Sequence, residues 1–257
     1  MLLFMAEPRN IKPKEKEPKQ NNFNDLQEEE VTTLDEPKES MLAIFKSSLV
    51  DIMKDPVSRN VTIAGMFNYA GGYACMYFMP VFFQHMYPLH KVEFASINAL
   101  SLSCLGFIST LAGGLISDRF QSKNPKILAQ VCAIGSLLAF PVSMICFMCT
   151  NNFWLSMACL SLKYLLGESW FPPCLTMLQN TFGKQKSGAI LSAFFFYCNL
   201  AGTASTALCG SLTYIFNTSA NPIIFGKILA IISAIQYVGS IPFFIKAGNE
   251  YFVNWRE

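Results

Sequence analysis

Between residues 60 and 245 the sequence holds only three acidic side chains, Glu93, Asp118 and Glu168. Glu168 lies in the segment MACLSLKYLLGESWFPPCLTML, five residues after Lys163. An ionisable group in so apolar a stretch costs roughly 2.5–3.5 kcal/mol to place in a bilayer, so its presence needs a reason. Facing a wet cavity, the Glu168 carboxyl can take and release a proton. Kept permanently protonated, it can instead hydrogen-bond a neighbouring helix. Lys163 has the parallel choice of contacting solute or carboxylate, or of structural pairing. Five helical residues correspond to roughly 140° of rotation, so the two cannot share a face. Glu168 aligns with Ser161 and Tyr164, and Lys163 with Ser156 and Trp170. Pro172 and Pro173 follow directly, each lacking an N–H, and predict a kink. Gly71, Gly72 and Pro80 loosen an earlier apolar segment in the same way. Bendable helices beside a buried charge suit a gate moving around a midplane site, with Gly71, Gly72, Pro172 and Pro173 as hinge candidates.

The remaining polar and aromatic groups are unevenly shared among the apolar segments. Asn68, Tyr69, Tyr73 and Tyr77 fall in the first, Asn98, Ser101 and Ser103 in the second, and Tyr197, Asn199 and Thr203 in the fifth. With Glu168 in the fourth, this predicts a cavity lined by the first, second, fourth and fifth segments, the third and sixth facing lipid. The residues expected to contact solute or carry a proton are Glu168, Lys163, Tyr69, Tyr73, Asn98, Tyr197 and Asn199. Gly202, Thr206 and Gly210, at four-residue spacing, suit close helix packing. The nine cysteines all fall inside apolar segments, where they act as small packing residues. Cys146 and Cys149 have CxxC spacing but no second pair or nearby His, so no metal or cofactor is expected. His85 and His90 bracket the first connection and, with no acid or Cys read beside them, are expected to be solvated, with pH sensing left open.

The elements that position these residues are membrane spans. The chain has 257 residues, 52% hydrophobic and 14% charged, with mean hydropathy +0.35. A soluble domain carries about a quarter charged residues. Residues 1–59 hold 9 Lys/Arg and 12 Asp/Glu, 21 of the 36 charged side chains. The net charge of +2 therefore averages a polar tail and a membrane domain. Nucleic-acid binding, a secreted disulfide scaffold and a soluble enzyme are poor readings. Six stretches reach the roughly 20 residues needed to cross a bilayer: 60–83, 93–117, 126–149, 153–179, 187–216 and 223–246, within a domain at 58–247. The loops after the second and fourth carry Arg119, Lys123, Lys126, Lys184 and Lys186, and those after the first, third and fifth only Lys91. The positive-inside rule then makes both termini cytoplasmic. Asn217-Thr218-Ser219 is a sequon on the outer side, so Asn217 is a candidate for glycosylation.

Residues 1–38 are Pro-, Lys- and Glu-rich and are expected to be a disordered cytoplasmic connector, preceded at 1–6 by the tail of a helix. Across 39–55, Met41, Phe45, Leu49 and Ile52 have helical spacing, with Ser40 to cap and Pro56 to stop the helix. This amphipathic helix lies on the cytoplasmic membrane surface or packs on the protein's own loops. Residues 248–257 are read as a cytoplasmic tail.

At the end of the second span, GGLISDRFQSK resembles the cytoplasmic signature G-x-L-x-D-R-x-G-R-K of the major facilitator superfamily. Gly114, Asp118, Arg119 and Lys123 fall on its Gly, Asp, Arg and final Lys, and Ile116 replaces Leu. Gln121 and Ser122 depart from its Gly and Arg. The resemblance implies an all-α membrane protein, its six helices forming one half, the C-terminal one, of a twelve-helix fold. It also implies a cytoplasmic latch in which the Asp docks on a helix N-terminus of the opposite half. LLFMAEPRN resembles the end of the family's sixth helix. GESW at 167–170 and SGAILSAFFFYCNLAGTAST are similar to spinster-type members, which move lipids or related organic solutes. The expected function is secondary active transport of a small organic or lipid-like solute by alternating access. It requires a lipid bilayer and either an N-terminal half absent from this chain or a second subunit. The alternative is a non-transporting six-helix membrane interaction or assembly protein. A membrane enzyme ranks third, because Glu168 alone is not a catalytic constellation.

Overall fold

A computed structural model describes residues 41–149, 151–218 and 221–254, so the connector at 1–38, Ser40, Ser219 and residues 255–257 lie outside the described residues. The described residues are helical. They form α1 (Met41–Lys54), α2 (Pro56–Met86), a 3-10 turn (Pro88–His90), α3 (Lys91–Phe120), α4 (Ile127–Met148), α5 (Phe153–Gly167), α6 (Phe171–Ile215) and α7 (Pro222–Asn254). Four helical stretches are long and apolar enough to cross a membrane: Pro88–Phe120, Ile127–Met148, Lys186–Ile215 and Pro222–Asn254. They correspond to the second, third, fifth and sixth expected spans.

The first and fourth expected spans take a different form. α2 has 31 residues, about 46 Å at 1.5 Å per residue, but its first half carries Ser58, Arg59, Asn60, Thr62 and Asn68. Asp55 caps it, its Oδ2 accepting from the Ser58 N–H at 2.7 Å, and Pro56 begins it. Pro56 thus starts a helix as well as ending the stretch before it. The fourth span is not one kinked helix. α5 stops at Gly167, Glu168–Trp170 make a turn, and α6 begins at Phe171 with prolines in its first turn. A first-turn proline loses no intrahelical bond, since those N–H groups have no helical partner. Pro172 and Pro173 therefore open a helix where a kink was expected. α6 breaks again at Gly183, whose φ of 72° lies in the left-handed region that favours glycine. α7 stays helical through the first residues of the segment read as a tail, to Asn254, with Ala247 and Tyr251 buried.

α2 packs against both α6 and α7, α7 against α4, α4 against α5, and α5 against α3. α1 lies against α6 and α2. Phe45 meets Phe196 edge to face at 6.0 Å, Leu49 packs against the core and Ile52 is buried, so the helix packs on its own protein, while Met41 stays exposed. Two apolar clusters occupy opposite ends of the bundle. One joins Val61, Leu128, Cys174, Phe194 and Phe244, and the other Phe82, Phe147, Leu160 and Phe225. Between them every packed helix carries small or polar residues: Asn68 to Gly72 in α2, Gly135 to Ser143 in α4, Gly167 to Ser169 at the break, and Ser233 to Ser240 in α7. That middle layer holds the candidate site.

Candidate functional site

The middle layer stays together because its polar groups bond across helices. Ser101 and Ser161 hydroxyls lie 2.8 Å apart, and Tyr164 Oη donates to Asn98 Oδ1 at 3.0 Å, both joining α3 to α5. Cys75 and Ser233 join α2 to α7 at 3.4 Å. The turn at Glu168–Trp170 is held by glycines. The position of a Cβ on Gly113 of α3 is filled by the Ser169 backbone carbonyl, and that on Gly135 of α4 by the Ser169 hydroxyl. Ser169 Oγ in turn donates to Leu166 O at 3.2 Å, satisfying an end carbonyl of α5.

This clamped turn presents Glu168 to a cavity of about 290 Å³. α2 supplies Asn68, Tyr69, Gly72 and Tyr73, α3 supplies Thr110, the turn adds Trp170, and α6 adds Phe171. Gln236 of α7 completes the wall, which corrects the expectation that the sixth span faces only lipid. α7 packs on α2 so closely that the Gln236 side chain fills the Cβ position of Gly71. Gly71 is thus a packing glycine within an unbroken α2, whereas Gly72 opens on the cavity with no atom within 4 Å of a Cβ.

Of the residues expected from sequence, Tyr69, Tyr73 and Glu168 are brought together. Asn199 stands behind them, its Oδ1 accepting from Tyr73 Oη at 2.5 Å. Asn98 supports Tyr164 at one remove. Tyr197 is elsewhere, donating to Leu49 O of α1 at 3.2 Å, and no residue of the second arm of α6 lines this cavity. Lys163 is also elsewhere. It is 6% exposed in the far apolar cluster, with Nζ 5.7 Å from the Phe147 ring centroid and 5.9 Å from that of Tyr164. It forms no ion pair with Glu168 or any other described residue. Asn68, Thr110 and Gln236 are the lining polar groups that sequence reasoning gave no solute role.

Asp118 and Arg119 close α3 and, like Lys123 in the following turn, are exposed without an ion-pair partner among the described residues. Gly114 faces Pro172, whose Cβ would stand 3.5 Å from a Cβ placed there. Gly202 packs on the Tyr73 ring and Gly210 on Phe78, joining α6 to α2. Asn217 is exposed with a φ of 44°, in the turn after α6. His90 is not simply solvated. It stacks on Phe153 at 4.4 Å with Glu93 3.8 Å away, because the 3-10 turn folds it back over the start of α5. All nine cysteines are free thiols.

Residues 1–206 match the family model of the Major Facilitator Superfamily. The chain is 21% identical over 200 residues to an MFS-type efflux pump of Mycolicibacterium smegmatis, covering 77% of this chain and 46% of that protein. Its fold is similar to the crystal structure of a bacterial homolog of the human lysosomal transporter Spinster in an inward-facing, unoccupied conformation. The TM-score is 0.56 at 16% identity, covering 86% of this chain and 52% of that one. The chain thus spans about half the length of these relatives.

Proposed function

The chain belongs to the Major Facilitator Superfamily, a family of membrane transporters, and on that premise we propose that it moves a small organic or lipid-like solute by secondary active, alternating-access transport. The observation that carries this reading is the Glu168 carboxyl, set at a helix break and opening on an aromatic cavity midway between two apolar clusters. Glu168 is the coupling residue, with Tyr69 and Tyr73 contacting solute. Asn199 and Asn98 hold the surrounding rings. Lys163 and Tyr197 act away from the solute.

A further six-span half, from the same protein or a second subunit, faces this cavity and completes the pathway. Both termini lie in the cytoplasm, the side favoured by Arg119, Lys123 and Lys126. There Asp118 and Arg119, with Gly114 and Lys123, latch the two halves in one state, and the free charges at the end of α3 suit that contact. Asn217, exposed on the outer side, is a glycosylation acceptor.

The test is solute flux in proteoliposomes containing the full natural protein, with Glu168→Gln as the diagnostic variant. Coupled flux should be lost while solute exchange persists. Transport unchanged by Glu168→Gln at every pH would remove the proton role.

A further inference from the structure

We propose that the middle-layer cavity receives the ammonium group of an organic amine, an assignment that rests on the transporter reading and names its substrate class. The charge of the wall is one-sided, since Glu168 is its only charged residue. No hydrogen bond or ion pair to another described residue engages the carboxylate.

Two amide side chains line the same cavity. Asn68 is 3% exposed and Gln236 is 7% exposed, and neither Asn68 Oδ1 nor Gln236 Oε1 has a partner. The orientation of the Asn68 amide is fixed, because its Nδ2 donates to Ala64 O at 3.0 Å. Turning the amide over would set two oxygens against each other. Buried acceptors left unpaired are costly, so two on residues of one cavity wall, beside the Glu168 carboxyl, favour a donor-bearing ligand.

Several donors around the wall are already spent. The start of α6 borders the cavity, and a helix N-terminus ordinarily offers several N–H groups to an anion. Here positions 172 and 173 are proline, and the Cys174 N–H already bonds Trp170 O at 3.2 Å. Thr110 Oγ1 is spent on Gly106 O at 2.8 Å, and Tyr73 Oη on Asn199. An anionic head would meet the Glu168 carboxyl and a helix start carrying two prolines, with the Tyr69 hydroxyl, the Trp170 indole N–H and the Gln236 amide as its remaining donors. An ammonium instead meets a counter-charge and the rings of Tyr69, Trp170 and Phe171. Aromatic faces attract cations through the ring quadrupole. Lys163 does not line this wall and makes no ion pair with Glu168. A volume of about 290 Å³ suits a compact amine or the ammonium head of a long-chain amine.

The test uses the whole 257-residue chain in lipid nanodiscs, with Trp154→Phe and Trp255→Phe leaving Trp170 as the sole fluorescent indole. Phenethylamine, dodecylamine, phenethyl alcohol and 3-phenylpropionate are titrated. An amine should perturb Trp170 and bind at least roughly tenfold more tightly than the alcohol or the carboxylate. Glu168→Gln should weaken amine binding by roughly 10- to 100-fold, and Glu168→Asp should retain part of it. Dodecylamine alone binding would assign a lipid amine, and phenethylamine binding as well would assign a free one. Equal binding of alcohol or carboxylate, or no loss in a monodisperse Glu168→Gln protein, would overturn the ammonium assignment and leave the cavity a solute site. Silence with all four probes would overturn both the assignment and the cavity's role as a solute site.

Discussion

Replacing Gly113 by alanine tests whether the turn that carries Glu168 is clamped. The position a Cβ would take is occupied by the Ser169 carbonyl oxygen, with the Ser169 carbonyl carbon 2.9 Å and its Cα 3.0 Å away. The obstacle is backbone and cannot swing aside as a flexible side-chain end would. Gly106 is the matched control on the same helix and the same buried face. Its nearest neighbour to an added Cβ is Glu168 Cγ at 3.9 Å, an ordinary contact. Both substitutions gain the same helix propensity, about 1 kcal/mol for glycine to alanine. That gain cancels in the comparison and leaves the overpacking cost, about 1–3 kcal/mol. For a chain of this size each kcal/mol moves the melting temperature by about 2–4 °C. Gly113→Ala should therefore melt roughly 2–12 °C below Gly106→Ala. Unfolding of the detergent-purified proteins, followed by tryptophan fluorescence, measures it. The Trp170 emission of Gly113→Ala should also shift, because the turn must move to admit the methyl group. Equal melting of the two variants would refute the clamp, and with it the positioning of Glu168 by α3.

Lys163→Met should melt at or above the parent, since the stem is kept and an unpaired buried ammonium is removed; a loss above about 1 kcal/mol in thermal unfolding would reveal a partner for the charge. Tyr87, outside the spans, has its pKa raised from 10.0, chiefly by burial and against the lowering effect of its bond to Ser156. A raised folded-state pKa gives stability that is full below the unfolded value and lost as pH rises past it. Denaturation above pH about 10 should therefore be shallower in Tyr87→Phe than in the parent, and parallel curves would contradict this. Asp118→Asn in the complete protein should slow interconversion of states without lowering thermal stability, read by solute-exchange rates. An unchanged rate would dissociate Asp118 from the latch.

Where the chain crosses apolar space was legible from hydropathy, because a span needs only length and a lack of charge. How the fourth span breaks was not. Gly167-Glu168-Ser169 followed by an aromatic pair and two prolines can be read as a kinked helix or as one helix ending and another beginning. The choice is made by the room that Gly113 and Gly135 give Ser169, a tertiary fact. Tyr197 was placed in the cavity because its span is among those rich in polar and aromatic groups; its partner is instead a carbonyl of α1, 148 residues away in the chain, a pairing that only the tertiary fold reveals. Gln236 was read as facing lipid because it stands alone in an apolar helix. Its signal was the missing side chain at Gly71, whose Cβ position Gln236 fills, but pairing those two positions needs the crossing of α2 over α7.

The pattern of unpaired groups gives the cavity its meaning. Polar side chains are tolerated midway along the bundle because most are paired across helices, as Ser101 is with Ser161 and Tyr164 with Asn98. Among the described residues the buried unpaired hydroxyls are Ser58, Thr62, Ser109 and Ser117. Each sits within a helix, where a hydroxyl can rotate onto the carbonyl of the preceding turn. An amide oxygen has no such recourse once its own nitrogen is committed, as that of Asn68 is to Ala64. The two amide oxygens left unpaired, on Asn68 and Gln236, both belong to side chains that line the cavity Glu168 faces. Packing alone gives no reason for them to converge there, since a Leu at either position would fill the same volume without a buried unpaired acceptor. A ligand that brings hydrogen-bond donors to all three supplies that reason.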